Sequence, residues 1–240
     1  MGADYRELPA SGGLGDRVEC VWERVDEPGT VTIVPDGCLD LIWMDGRELV
    51  LVGADSGPRT VTTARGERTC GIRFRPGAGG SVMGLPAIEV VDQQVAAELV
   101  WAEVAVQLAE KLLDSTPPAR LAHLERFVAT CPGEVDPLVS AAAHLLGGCG
   151  DQVSRVADQL GVSTRQLHRR TTMAVGYGPK MLARVMRARR LHRVTATSLA
   201  ELAYKAGYAS QAHMGDDVRS LTGMTPVRFL EYLGRSDALT

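Results

Sequence analysis

The sequence predicts an α+β protein in two parts, a β-rich N-terminal half followed by an all-α C-terminal domain. Three observations predict it. Up to about residue 75, short runs rich in Val, Ile, Thr and aromatics alternate with turn residues. From about Pro86 onward, apolar residues recur at three- and four-residue spacing, the period of a helix. The last third of the chain contains one helical pattern twice. With 240 residues, 45% hydrophobic and 23% charged, the chain has room for two such domains.

After a Gly-rich start at Ser11-Gly12-Gly13-Leu14-Gly15, strands are expected at Val18–Val25, Thr30–Val34, Cys38–Met44, Glu48–Val52, Arg59–Thr63 and Cys70–Arg75. Pro35-Asp36-Gly37 is a turn signal, because Pro presets φ and Gly supplies a positive one. The helical part opens with a stripe of Leu99, Val104, Leu108 and Leu112, suited to core or to a dimer interface. A second helix is expected from Thr116, its N-cap, to about Ala129, stopped by Cys131-Pro132-Gly133. Asp136-Pro137 starts another, so the domains are placed at 1–132 and 136–236.

In the C-terminal part, Val156-Ala157-Asp158-Gln159-Leu160-Gly161-Val162-Ser163 answers Leu202-Ala203-Tyr204-Lys205-Ala206-Gly207-Tyr208-Ala209. Gly176 and Pro179 answer Gly223 and Pro226, with one extra residue in the second copy. Each copy is a short helix, a Gly that ends it, a turn, and a second helix capped by Ser163 or Ser210, which is the layout of a helix-turn-helix. Such a pair offers the N-terminal residues of its second helix to a major groove. Between the copies, Lys180–Thr195 reads as one amphipathic helix of about 24 Å. It carries Arg184, Arg187, Arg189, Arg190 and Arg193.

Charge divides along the same line. Residues 1–150 hold 12 basic and 22 acidic side chains, residues 151–240 hold 14 and 7, so the overall −3 resolves into −10 and +7. The basic part is the one suited to a polyanion. A chain of solvated arginines on a helical bundle is the blander alternative.

The matching residues resemble the AraC/XylS family of bacterial transcription regulators. They are Val156-Ala157 with Gly161-Val162-Ser163, Leu167-His168-Arg169-Arg170, Val175-Gly176 with Pro179, and Arg187 with Arg190-Leu191. The second copy adds Leu202-Ala203 with Gly207 through His213, and Gly223-Met224-Thr225-Pro226. The resemblance covers about Pro137 to Leu233. It implies a seven-helix DNA-binding domain with two helix-turn-helix motifs, joined to a sensing or dimerising domain. On that footing the DNA-binding residues are Ser163, Arg165, Gln166, His168 and Arg169 in the first unit, Ser210, Gln211 and His213 in the second, and Lys180 and Arg187 between them. Arg suits guanine O6 and N7, and Gln211 suits adenine. The chain departs from the family at Thr171 and Val218, where an aromatic is usual, and at Asp216, where Arg is common. An acid near phosphate repels, so the first unit is expected to carry most specific contacts.

The N-terminal half resembles, more weakly, the cupin-like β-barrel domains of such regulators, through Pro35 to Trp43 and Gly71 to Gly77. Trp22, Trp43, Asp40 and Phe74 are the ligand-binding candidates, with core filling the alternative for the aromatics. Arg73 and Arg75 are expected to share a face, meeting an anionic ligand or Asp36 and Asp40. No His occurs before His123, so a His-based metal site cannot be built there. No Ser/His/Asp set, phosphate loop or HExxH pattern is present, so no catalytic residue, cofactor or enzyme activity is expected. Five scattered cysteines without a CxxC pair suggest reduced thiols, with redox sensing at Cys38 or Cys70 a minor alternative.

No transmembrane stretch or signal peptide is apparent, which predicts a cytoplasmic protein. The function expected is a sequence-specific DNA-binding transcription regulator. Its partner is double-stranded DNA at an operator or promoter, with room for a small-molecule effector, RNA polymerase and a second copy, and no membrane. The alternative is a ligand-binding or protein-interaction module with weakened DNA binding, for which Asp216, Thr171 and Val218 are the grounds.

Overall fold

The computed structural model describes residues 4–44, 48–148 and 152–235; Cys149 and residue 236 lie outside them. The first half contains β1 (Asp4–Leu8), β2 (Val18–Val25), β3 (Gly29–Ile33), β4 (Leu39–Met44), β5 (Glu48–Val52), β6 (Arg59–Thr63), β7 (Arg68–Phe74) and β8 (Gln94–Ala96). Six of them form one antiparallel sheet in the order β1-β2-β7-β4-β5-β8, and β3 pairs only with β6. The expected barrel therefore does not close. Pro28, Pro35 and Pro58 bracket the β3–β6 pair, and a proline has no N–H with which to extend a ladder onto a neighbouring sheet.

The strand period of two divides the larger sheet into two faces. Leu39, Leu41, Trp43, Ile72 and Phe74 are all buried on one, where the sheet is covered by helix α3 (Pro117–Thr130). Asp40, Ile42, Arg73 and Trp22 line the other, facing Ile33 and Val61 of the small sheet across a cavity. Gly71 belongs to that second face because a Cβ there would stand 2.7 Å from the Trp22 ring.

Between sheet and helices the outcome departs from the expected early helix. The Pro76-Gly77 tract is followed by α1 (Gly79–Met83), the segment after Pro86 forms a 3-10 turn at Ala87–Val90, and β8 then pairs with β5. The apolar stripe starts only with α2 (Glu98–Leu113), which is broken at Ala102, where φ is +45°. The break separates Leu99, 78% exposed, from the rest of the stripe, in which Leu108 and Leu112 are buried while Val104 is 54% exposed. Thr116 stands at the N-cap of α3, but its side chain makes no capping hydrogen bond.

The second half is built, among the described residues, from seven helices: α4 (Pro137–Leu146), α5 (Val153–Gln159), α6 (Thr164–Val175), α7 (Pro179–Arg190), α8 (Leu199–Lys205), α9 (Gln211–Thr222) and α10 (Pro226–Arg235). Asp136 caps α4 by accepting the Leu138 N–H. The connecting helix α7 is shorter than expected, about 18 Å at the usual rise, and passes into a 3-10 turn at Leu191–Arg193. The β-branched pair Val194-Thr195 that follows is poorly suited to continue it.

The two halves share one core. Close approaches at glycines mark the seam, with a Cβ on Gly77 or Gly176 falling 2.7 Å from Val139 and 2.2 Å from Val91, and one on Gly37 tight at 3.0 Å from Met186. The C-terminal end of α6 is thereby packed on the first half, and its N-terminal turn stands clear in solvent.

Candidate nucleic-acid interface and effector cavity

The repeated sequence produces the same local structure twice. Gly161 and Gly207 take left-handed φ values of +67° and +89°, and the residue after each returns its N–H to the buried Ala, Val162 to Ala157 and Tyr208 to Ala203. A larger side chain in place of either alanine would separate the two helices, since both are fully buried. Ser163 and Ser210 then start α6 and α9. Ser163 forms a reciprocal cap with Gln166, whose Oε1 accepts the Ser163 N–H at 2.9 Å. Ser210 accepts the His213 N–H at 3.1 Å.

Ser163, Gln166 and Ser210 are exposed and also hold their own helix starts through these hydrogen bonds. Arg165 and Arg169 are exposed on one face of α6, one turn apart, and among the described residues neither has an acidic partner. His168 is exposed beside them, with its Nε2 against Gly178 at the start of α7, where a Cβ would lie 2.7 Å away. Lys180 is exposed in the first turn of α7. Arg165, His168, Arg169, Lys180, Arg184 and Arg187 together border an open cleft of about 1460 Å³ between α6 and α7.

The second pair presents less. Gln211 is exposed at the start of α9, but His213 packs edge-on against Tyr208 at 5.5 Å and receives the Ala209 N–H at 3.4 Å. The two acids of α9 differ sharply. Asp216 is exposed and, among the described residues, pairs with Arg219 at 3.3 Å. Asp217 is buried, accepts from Arg184 Nε at 2.5 Å and faces Arg187 Nη2 at 3.8 Å. Arg187, expected on a phosphate, is 18% exposed and held by Asp217 and by the Tyr208 ring at 5.4 Å. It clamps α7 to α9. Thr171, which replaces an aromatic, is fully buried and bonds its hydroxyl to the Leu167 carbonyl, so its polarity is satisfied.

In the first half, Trp22 and Asp40 line the cavity between the sheets, while Trp43 and Phe74 lie on the opposite face in the core. Strand alternation separates them, and Trp43 is covered by Arg120 at 4.1 Å. The cavity holds about 130 Å³ and also touches Asp36, Cys38, Asp55, Arg59 and Arg73. Trp22 Nε1 donates to Asp40 at 2.8 Å, and Arg73 is shared among Asp40 at 3.3 Å, Asp36 at 3.5 Å and Glu7 at 3.1 Å. Burial pushes the Asp40 carboxyl above its ordinary range, with Arg73 opposing. Arg75 does not share this site and bonds Glu19 and the Gly15 carbonyl. Burial also pushes the Cys20 thiol up to about 12 and raises Cys38, which opposes the thiolate form a redox sensor needs.

Two residues that sequence reasoning passed over matter here. In the sequence Asp217 is just one of the seven acids of residues 151–240, and Arg189 one of the basic run of the connecting helix. Arg189 is buried, on the same side of α7 as Leu182 and Val185. An arginine on an apolar stripe is the sequence signal that marks it.

Residues 156–232 match a family described as a helix-turn-helix domain, and residues 6–96 match a domain of unknown function (DUF6597). A probable bifunctional transcriptional activator/DNA repair enzyme AlkA of Mycobacterium tuberculosis is 40% identical over 79 residues, 32% of this chain and 16% of the relative. The chain thus spans only a small part of that relative's length. Among solved structures, unsaturated fatty acid bound ToxT from Vibrio cholerae is 11% identical over 88% of this chain and 93% of its own, with a TM-score of 0.46. An AraC-type DNA-binding domain-containing regulator from Chromobacterium violaceum is 24% identical over 42% of this chain and 95% of its own, with a TM-score of 0.36.

Proposed function

We propose that the chain, whose residues 156–232 match a helix-turn-helix domain family, is an AraC-type, sequence-specific transcription regulator responsive to a small molecule. In this reading α5–α6 and α8–α9 are its two helix-turn-helix units. The observation that carries it is the exposed N-terminal turn of α6, where Arg165 and Arg169 face solvent without acidic partners among the described residues.

In this reading α6 enters a major groove, and Arg165 and Arg169 take guanine edges bidentately. Lys180 at the start of α7 meets the adjoining phosphates. The second unit contributes Gln211 and less else, because Asp216 faces outward beside it. The internal pairing of Asp217 favours a retained rather than a lost DNA function: that carboxylate is spent on Arg184 within the fold and does not repel phosphate. The cavity between the sheets is the effector site, lined by Trp22 and Asp40, and its 130 Å³ suits a small polar molecule.

Selection from a random duplex pool with the purified full chain tests the reading. A recurring site with one strong half is expected. Binding that is uniform across sequences at every salt concentration would overturn it.

A further inference from the structure

Arg189 crosses from the second half of the molecule into the first. Its Nη1 donates to the Asp36 carbonyl at 3.0 Å and lies 3.6 Å from Cys38 Sγ, while Nη2 meets Glu19 at 2.9 Å. Only 10% of its side chain is exposed. Glu19 is anchored in turn by Arg75.

The segment that Arg189 grips is also a wall of the cavity. Asp36 and Cys38 line it, Asp36 Oδ2 faces Arg73 at 3.5 Å, and Asp36 Oδ1 accepts the Cys38 N–H at 2.8 Å, fixing the turn. Gly37, at the tip with φ of +82°, is seated against α7: a Cβ there would lie 3.0 Å from Met186, 3.4 Å from the Tyr177 hydroxyl and 3.6 Å from Leu182. Helix α7 packs against α6 and is tied to α9 through Arg184 and Asp217. One short turn thus has the cavity on one side and the shared support of both DNA-facing helices on the other.

We propose that Arg189 is a positioning residue through which a molecule entering the cavity sets the placement of α7, and with it α6 and α9. The proposal rests on the reading of the cavity as an effector site and of the chain as a DNA binder. A polar occupant competes for Asp36 or Arg73. The Asp36 side chain shapes the turn, and the turn's carbonyl is a main acceptor of a buried guanidinium that cannot lose it without pairing elsewhere. Coupling arises because the occupant favours one of two arrangements of that turn.

Asp36→Asn stands in for an occupant, since it removes the charge facing Arg73 while the amide oxygen still accepts the Cys38 N–H. Deuterium exchange across residues 179–190 and affinity for the selected DNA site are measured on the full chain as wild type, Asp36→Asn, Arg189→Gln and the double variant. Asp36→Asn is expected to change DNA affinity by about fivefold or more and to raise exchange in α7. Both effects are expected to disappear in the Arg189→Gln background. Purely additive effects, or an Asp36→Asn chain that behaves as wild type in both measurements, overturn the proposal. Gly37→Ala unseats the turn without altering a charge and should reproduce the exchange of Arg189→Gln; an α7 as protected as in wild type counts against it. If the wild-type chain selects no DNA, the regulator reading fails, and the exchange comparison still decides whether Arg189 carries the coupling.

Discussion

Two lysine or arginine side chains on the same helix can do opposite work, and α7 shows both. Lys180 is exposed in its first turn, while Arg187 is pinned between Asp217 and Tyr208. Replacing Lys180 by Ala should lower the slope of log affinity against log salt by about one unit without changing sequence choice. Arg187→Ala should leave the slope unchanged and destabilise the fold by about 1–3 kcal/mol, because it strips Asp217 of a counter-charge in a buried place. A salt titration beside a urea melt separates the two. Asp136 supplies a pH signature. Burial pushes its carboxyl up, but hydrogen bonds from Arg170 and Leu138, with the Arg170 charge, outweigh that and hold it below the usual range. Its contribution is therefore present above the unfolded value of about 3.9 and is lost as pH falls through the lower folded value. Urea melts of wild type and Asp136→Asn should differ at pH 6 and converge well below pH 4.

At the scale of elements, the two helix pairs show what sequence carries well. Local rules were sufficient for the repeat: a buried Ala, a left-handed Gly and a capping Ser are adjacent in the chain, so their geometry follows from their order. The strands with clear alternation were equally legible, and β2, β5 and β6 match their expected limits. What sequence could not show depends on distant partners. Three residues form β8 only because Val50–Val52 offer an edge, and Ala102 breaks the α2 stripe without any local breaker such as Pro or Gly. The ligand candidates divide for the same reason. Trp22 and Trp43 look alike in sequence, and only the register of β2 and β4 on β7 places one on the cavity and the other in the core. The caps give an element-scale prediction: Ser163→Ala should cost about 1–2 kcal/mol and Ser210→Ala less, because only the first has a reciprocal partner. Thermal melts of the two variants rank them.

For the whole molecule, the net charge of −3 conceals a basic face on one half only. The halves are not loosely tethered. They share a core, exchange Arg189 for Glu19 and the Asp36 carbonyl, and close around glycines too tight for a side chain. If the proposed coupling holds, such an assembly would act by small movements of a packed seam rather than by swinging domains. The seam leaves the starts of α6 and α9 in solvent. Ala substitution on the reading face should therefore alter recognition without altering the melt.

Whether α6 reads bases through Arg165 and Arg169 is decided by a base-by-base substitution scan of the selected site. At fixed salt, Arg165→Ala and Arg169→Ala should each cost about 1–3 kcal/mol and flatten the preference at one position, different for the two variants. Equal loss at every position, or a preference profile identical to wild type, would contradict it.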